Sequence, residues 1–177
     1  GELSRYHIAE DNRIDEEVYD ILRKLVIKRA KLRAMHLLSD MGRTESQLRT
    51  KLKQGGYPDE AVEEAIRYVK SFGYINDAEY VRSFIDSRKE KKSKKEIYAA
   101  LKQKGVDSDI IEQVFEEMDY GEEDSRQAIE ALMRKRNYNP DSVDLKEKQK
   151  LMGYLMRKGF RYEDVNSVLN SADSDIW

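Results

Sequence analysis

Six basic side chains fall within eight residues at Arg88-Lys-Glu-Lys-Lys-Ser-Lys-Lys95: Arg88, Lys89, Lys91, Lys92, Lys94 and Lys95. Cations packed this densely suit one kind of chemistry, the neutralisation of phosphates or of an acidic protein surface. Smaller clusters follow at Arg134-Lys135-Arg136 and at Arg157-Lys158 with Arg161. In an arbitrary chain a lysine run is a solvated linker. Here the clusters recur, and Arg88 and Arg136 occupy related positions of a repeat, so their charges can line up along one face. These twelve residues form the candidate surface for a partner or for DNA.

Catalytic readings find no support in residue type or spacing. The chain has no cysteine, hence no thiolate nucleophile, no disulfide and no Cys-ligated zinc or iron–sulfur cluster. Its two histidines, His7 and His36, are too far apart in sequence to suggest a metal site. No phosphate-cradling GxxxxGK[ST] loop, GxGxxG turn, HExxH helix or GxSxG elbow is present. The 35 carboxylates are scattered along helical stretches and read as solvated faces. A non-enzyme without metal or cofactor is expected.

Net charge is −2 and the sequence pI about 5.9, which disfavours a dedicated nucleic-acid binder. The average conceals blocks. Residues 23–33 hold Arg23, Lys24, Lys28, Arg29, Lys31 and Arg33 without an acid, whereas 107–124 hold nine acids and no base. Such alternation produces a patterned field.

The elements that would carry these side chains are announced by a repeat. Thr44-Glu-Ser-Gln47 precedes Leu48, Leu52, Gly56-Tyr57 and Val62. Ser93-Lys-Lys-Glu96 precedes Ile97, Leu101, Gly105-Val106 and Ile111 at a constant offset. Asp144-Leu-Lys-Glu147 precedes Leu151, Leu155, Gly159-Phe160 and Val165, with three extra residues after the cap. Each copy reads as a capping box, an apolar stripe, a glycine stop, and a second helix with acids in its first turn. Leu52, Leu101 and Leu155 are equivalent core positions in this register.

A further helix precedes each pair. Asn76-Asp-Ala-Glu79 and Asp124-Ser-Arg-Gln127 read as its starts, leading to Val81, Phe84 and Ile85 and to Ile129, Leu132 and Met133. Spacing assigns Leu32, Met35 and His36 as their buried counterparts in the first unit. Tyr57, Tyr80 and Tyr98 fall on or beside apolar stripes and are expected to pack with one wet edge. Only Tyr6–Ala9 could be a short extended piece, and Asn137–Val143, with Pro140, is the longest loop signal. A helix-turn-helix reading of 44–70 is rejected, because Asp59, Glu60, Glu63 and Glu64 would face DNA with like charge.

The expected fold is therefore all-α, with three tandem three-helix repeats in an elongated or curved array. The units are placed at 1–73, 74–121 and 122–177, the first with an N-terminal extension and the last with a C-terminal tail. No apolar run approaches the ~20 residues of a membrane helix, and no secretory leader is read. Gly1 points to a processed or tagged start. A soluble, cytoplasmic monomer is expected.

Arg43-Thr-Glu-Ser-Gln-Leu-Arg-Thr-Lys-Leu52 with Gly56-Tyr57, and then Phe72-Gly-Tyr-Ile-Asn-Asp-Ala-Glu-Tyr80, resemble the bacterial RecX family, regulators of the recombinase RecA. Leu101-Lys-Gln-Lys-Gly-Val106 and Leu155-Met-Arg-Lys-Gly-Phe160 resemble that family's later repeats. The likeness runs from about Ile14 to Leu169. It implies a protein that binds along the groove of the RecA filament on single-stranded DNA and suppresses its ATPase and strand exchange, and so modulates recombination, DNA repair and the SOS response. Two features depart from the pattern: Lys91-Lys-Ser-Lys-Lys95 stands where a Lys-Gly stretch is expected, and the N-terminal portion is shorter. Two rival readings are a helical adaptor for an unrelated protein, and a protein that contacts nucleic acid directly.

Overall fold

The computed structural model describes residues 15–138 and 145–171, which form helices and turns without a strand among them. In chain order the helices are α1 (Glu16–Asp40), α2 (Glu45–Gln54), α3 (Asp59–Ser71), α4 (Asp77–Asp86), α5 (Lys94–Gln103), α6 (Ser108–Glu117), α7 (Glu122–Lys135), α8 (Leu145–Arg157) and α9 (Tyr162–Ser171). The Tyr6–Ala9 piece, His7, most of the Asn137–Val143 loop and the Asp144 cap lie outside the described residues.

Local chemistry sets the helix ends. Thr44 caps α2 by accepting from the Gln47 amide while the Gln47 side chain accepts from the Thr44 amide. Ser93 and Glu96 repeat this box on α5. At the far ends, the carbonyls of Leu52, Leu101 and Leu155 accept from the amides of Tyr57, Val106 and Phe160. That six-residue closure needs a left-handed residue just before the donor, and Gly56, Gly105 and Gly159 supply it with φ of 81°, 77° and 90°. Asp119 and Asn137 take the same role after α6 and α7.

Three hydrophobic clusters result. The first gathers Ala30, Ala34, Leu48, Leu52, Val62, Val69 and their neighbours from α1–α3, with Tyr57 and Tyr68 packed against it. The second joins Val81, Ile85, Ile97, Leu101, Ile111 and Phe115 from α4–α6. The third joins Ile129, Met133, Leu151, Leu155, Val165 and Leu169 from α7–α9. Leu52, Leu101 and Leu155 are fully buried, each in its own cluster, as the repeat register requires. Tyr57, Tyr80 and Tyr98 are half-buried beside the cores. By contacts the chain divides into two compact units, Gly1–Asn76 and Asp77–Trp177.

Two expectations are corrected. Leu32, Met35 and His36 are exposed, Leu32 by 58%, and the buried face of α1 is Ala30, Ala34 and Leu37 with Val26, Ile27 and Leu38. The cause is an alanine seam: Ala30 and Ala34 on α1 and Ala61 and Ala65 on α3 all belong to one core, and small side chains bring the two axes close. Secondly, α7 begins at Glu122, two residues before Asp124, and its cap is Gly121. The Asp124 carboxylate accepts from the Gly121 amide, so Asp124 is the third residue of the helix and not its cap.

Candidate functional site

The basic segment is a compact turn between α4 and α5. The Ile85 carbonyl accepts from the amides of Arg88 and Lys89, and the Arg88 carbonyl from those of Lys91 and Lys92. The turn therefore fans its side chains outward from a hydrogen-bonded backbone. Arg88, Lys91, Lys92, Lys94 and Lys95 are exposed, and Lys89 is half-buried. Several have internal partners: Lys89 pairs with Asp86, Lys92 reaches Glu96, and Lys94 sits 4.9 Å from the Phe115 ring centre.

The related positions Arg88 and Arg136 behave alike. Each guanidinium lies on an aromatic face, Arg88 over Phe84 at 3.8 Å and Arg136 over Tyr154 at 3.6 Å. Stacking of this kind fixes the cation without consuming its outward hydrogen-bond donors. Arg134, Lys135 and Arg157 are also exposed; Arg134 approaches Glu130 at 3.9 Å. Arg161 holds Asp164 through two nitrogens, at 3.2 and 3.3 Å.

Two of the clusters meet in space. The start of α5 abuts the turn between α8 and α9. The Ser93 hydroxyl donates to the Lys158 carbonyl at 2.6 Å, and the Lys158 ammonium reaches Glu96 Oε1 at 3.0 Å. That hydrogen bond and the carboxylate's charge hold Lys158 further toward its protonated form. Ser93, Lys94, Lys95, Tyr120, Gly159 and Arg161 line a cleft of about 450 Å³. Burial, and secondarily Asp124 and Asp164, push the Tyr120 phenol up to about 12. Lys158 is thus largely engaged within the molecule, whereas Lys94, Lys95 and Arg161 edge an open cleft. The Arg134–Arg136 cluster shares none of its lining.

The acidic face of α3 is occupied internally. Lys53 pairs with Asp59, Arg23 with Glu60, Arg49 with Glu63 and Arg67 with Glu64. One arginine of the 23–33 basic block is therefore spent on this face. Burial pushes the Glu45 carboxyl up, but hydrogen bonds from Lys70 and Arg49 outweigh it and hold the group below its usual range. The Ser93–Lys158 contact joins residues 65 apart in sequence, and no periodic signal announces it. Gly159 was legible only as a helix stop, though it also sits against Lys95.

Each of the three matched segments holds most of one core. Residues 30–68, 76–114 and 122–169 match the family models of the first, second and third three-helix domains of RecX. The regulatory protein RecX of Caldanaerobacter subterraneus subsp. tengcongensis is 34% identical over 165 residues, covering 92% of this chain and 81% of that protein. The regulatory protein RecX of Mycobacterium avium is 31% identical, covering 75% and 78%. The crystal structure of RecX from Lactobacillus salivarius superposes with a TM-score of 0.69 at 22% identity, covering 84% of this chain and 97% of that one. Another crystal structure, of a regulatory protein RecX, gives 0.71 at 22%, covering 95% and 84%. These two structures support the fold; the sequence relatives and all three domain matches support the lineage. The chain belongs to the RecX family of regulatory proteins.

Proposed function

We propose that this chain regulates RecA without chemistry of its own, by binding the RecA filament on single-stranded DNA and lowering its ATPase and strand exchange. The observation that carries this reading is family membership across all three domains, joined to solvent-facing cations on the turn before α5 and at the end of α7. The contact set is Arg88, Lys89, Lys91, Lys92, Lys94, Lys95, Arg134, Lys135, Arg136, Arg157, Lys158 and Arg161. Within it, Lys91, Lys94, Lys95, Arg88 and Arg136 carry the most outward charge. The protein acts as a cytoplasmic monomer, with its domain joints after residues 73 and 121.

A regulator of this kind needs only to bind one state of the filament better than another, because differential affinity shifts the equilibrium between states. Patterned charge gives the encounter its salt dependence: cations meet DNA phosphates or acidic protein surface. The test is binding to RecA–single-stranded-DNA filaments, to free DNA and to free RecA at two salt concentrations, with filament ATPase in parallel. Tight binding to filaments alone, with ATPase falling, is the expected outcome. Equal affinity for free DNA would make this a direct DNA binder, and unaltered RecA activity at saturation would make it an adaptor for another protein.

A further inference from the structure

We propose that Ser93 and Gly159 are positioning residues: together with Glu96 and Lys158 they lock the start of α5 to the α8–α9 turn and hold the Lys91–Lys95 cations in register with Arg161. The idea rests on the filament-binding reading above for its functional half. Its structural half stands on geometry.

Ser93 is 1% exposed, and its hydroxyl does two jobs at once. The oxygen accepts from the Glu96 amide at 3.1 Å, closing the α5 cap, and its proton goes to the Lys158 carbonyl at 2.6 Å. A hydroxyl can serve as donor and acceptor together, whereas a carboxylate cap can only accept. The second strand of the lock is ionic. Glu96 receives the Lys158 ammonium at 3.0 Å and the Lys92 ammonium at 3.5 Å, so one carboxylate ties the basic turn to the next domain.

Gly159 closes the joint by being small. A Cβ built there would lie 2.9 Å from Lys95 Cβ, 3.0 Å from Lys95 Cδ and 3.1 Å from Ser93 Oγ. Its φ of 90° already calls for glycine, as at Gly56 with φ of 81°. At Gly56, however, a Cβ would meet nothing within 4 Å. Backbone strain is common to both sites, and the steric wedge belongs to Gly159 alone.

The consequence is a pre-organised cationic edge. If the lock opens, the α5 start and the α8–α9 turn sample several relative placements, and affinity falls in proportion to the competent fraction. A fraction of about one tenth gives a Kd about tenfold weaker.

The experiment uses the full chain, which has no cysteine, with spin labels on cysteines introduced at the exposed positions Gln103 and Ser167. The inter-label distance distribution is expected to be narrow in the parent. Ser93→Asp keeps a cap acceptor but has no proton for the Lys158 carbonyl, and Gly159→Ala inserts the wedge. Both should broaden or shift the distribution and weaken filament binding about tenfold. Ser93→Thr, which retains the hydroxyl, and Gly56→Ala, which carries backbone strain without the wedge, should leave distance and affinity near the parent values. Glu96→Gln keeps an acceptor for the Ser93 amide and weakens only the ion pair, so it decides the matter if the first two variants do not fold. Unchanged distributions in the folded lock variants overturn the lock. A broadened distribution with unchanged filament affinity overturns the positioning role. If the parent does not bind filaments at all, the regulatory reading and the positioning role fall together, while the distances still judge the joint.

Discussion

Lys91 and Lys94 offer a clean way to ask whether the basic turn touches the filament's DNA. Both are exposed, and reversing them spares the Lys89–Asp86 and Lys92–Glu96 pairs. For folding, the terms nearly cancel. Lys94 is the first residue of α5, where a cation opposes the helix dipole, so Lys94→Glu gains about 0.3–1 kcal/mol. It also loses the contact with Phe115, worth about 0.5–1 kcal/mol at an exposed site. Lys91→Glu, at the surface, should stay within about 0.5 kcal/mol. The double variant should therefore melt like the parent. If both lysines meet single-strand phosphates, the slope of log K against log salt falls by about 0.7 for each, or about 1.4. Between about 50 and 200 mM salt, that removes about a sevenfold share of the salt-induced weakening. Anisotropy titrations of labelled-DNA filaments at the two salt concentrations read this directly. Parallel salt slopes and equal affinities, with both proteins folded, would assign this part of the turn to solvent.

The core and the titrating groups give further tests. Leu52→Ala, Leu101→Ala and Leu155→Ala, each emptying a fully buried site, should cost about 2–5 kcal/mol in denaturant unfolding; three losses below about 0.5 kcal/mol would break the repeat register. Glu45 and Glu63 are held below their usual range, so their stabilisation is complete above the unfolded carboxylate value near 4.3 and fades as pH falls through the depressed folded values. Glu45→Gln should flatten that acid limb in urea midpoints taken against pH, and an identical limb would contradict the network. Tyr120 is raised to about 12, so its contribution is intact below about 10 and lost as pH climbs through 12. Subtracting the phenolate titration of Tyr120→Phe from that of the parent should leave a component near 12; a component near 10 would refute the burial argument.

Most of the architecture was legible because the same local signals recur. Thr44 and Ser93 cap helices in boxes shared with the residue three places on, and a glycine supplies the left-handed residue that closes α2, α5 and α8. These are short-range rules, and short-range rules can be read from sequence. The register of α1 failed for the opposite reason. Its inner face is marked by Ala30 and Ala34, which carry little hydrophobic signal, while Leu32 and Met35 carry much and stay in water. At α7 the cap is Gly121, which has no side chain to announce it, so the polar cap signal in the sequence falls on Asp124, the third residue of the helix. Of the candidate surface, the cations followed from the sequence, and all but Lys89 and Lys158 are exposed. That Lys158 is tethered to Glu96 did not follow from it, because such a contact depends on how two domains meet.

The alanine seam between α1 and α3 divides the molecule by the kind of substitution each part tolerates. In the clusters built from leucine, isoleucine and phenylalanine, truncation is the damaging change, because it empties volume that neighbours cannot fill. At Ala30, Ala34, Ala61 and Ala65 nothing can be usefully removed, and enlargement is the damaging change: one added branch forces apart two helices that meet at their smallest side chains. Random substitution at these four sites should select against bulk, whereas at Leu101 or Leu155 it should select against its loss. The first domain is thus bounded from above in side-chain volume along its α1–α3 seam, while its Leu48 and Leu52, like the leucines of the other two domains, are bounded from below.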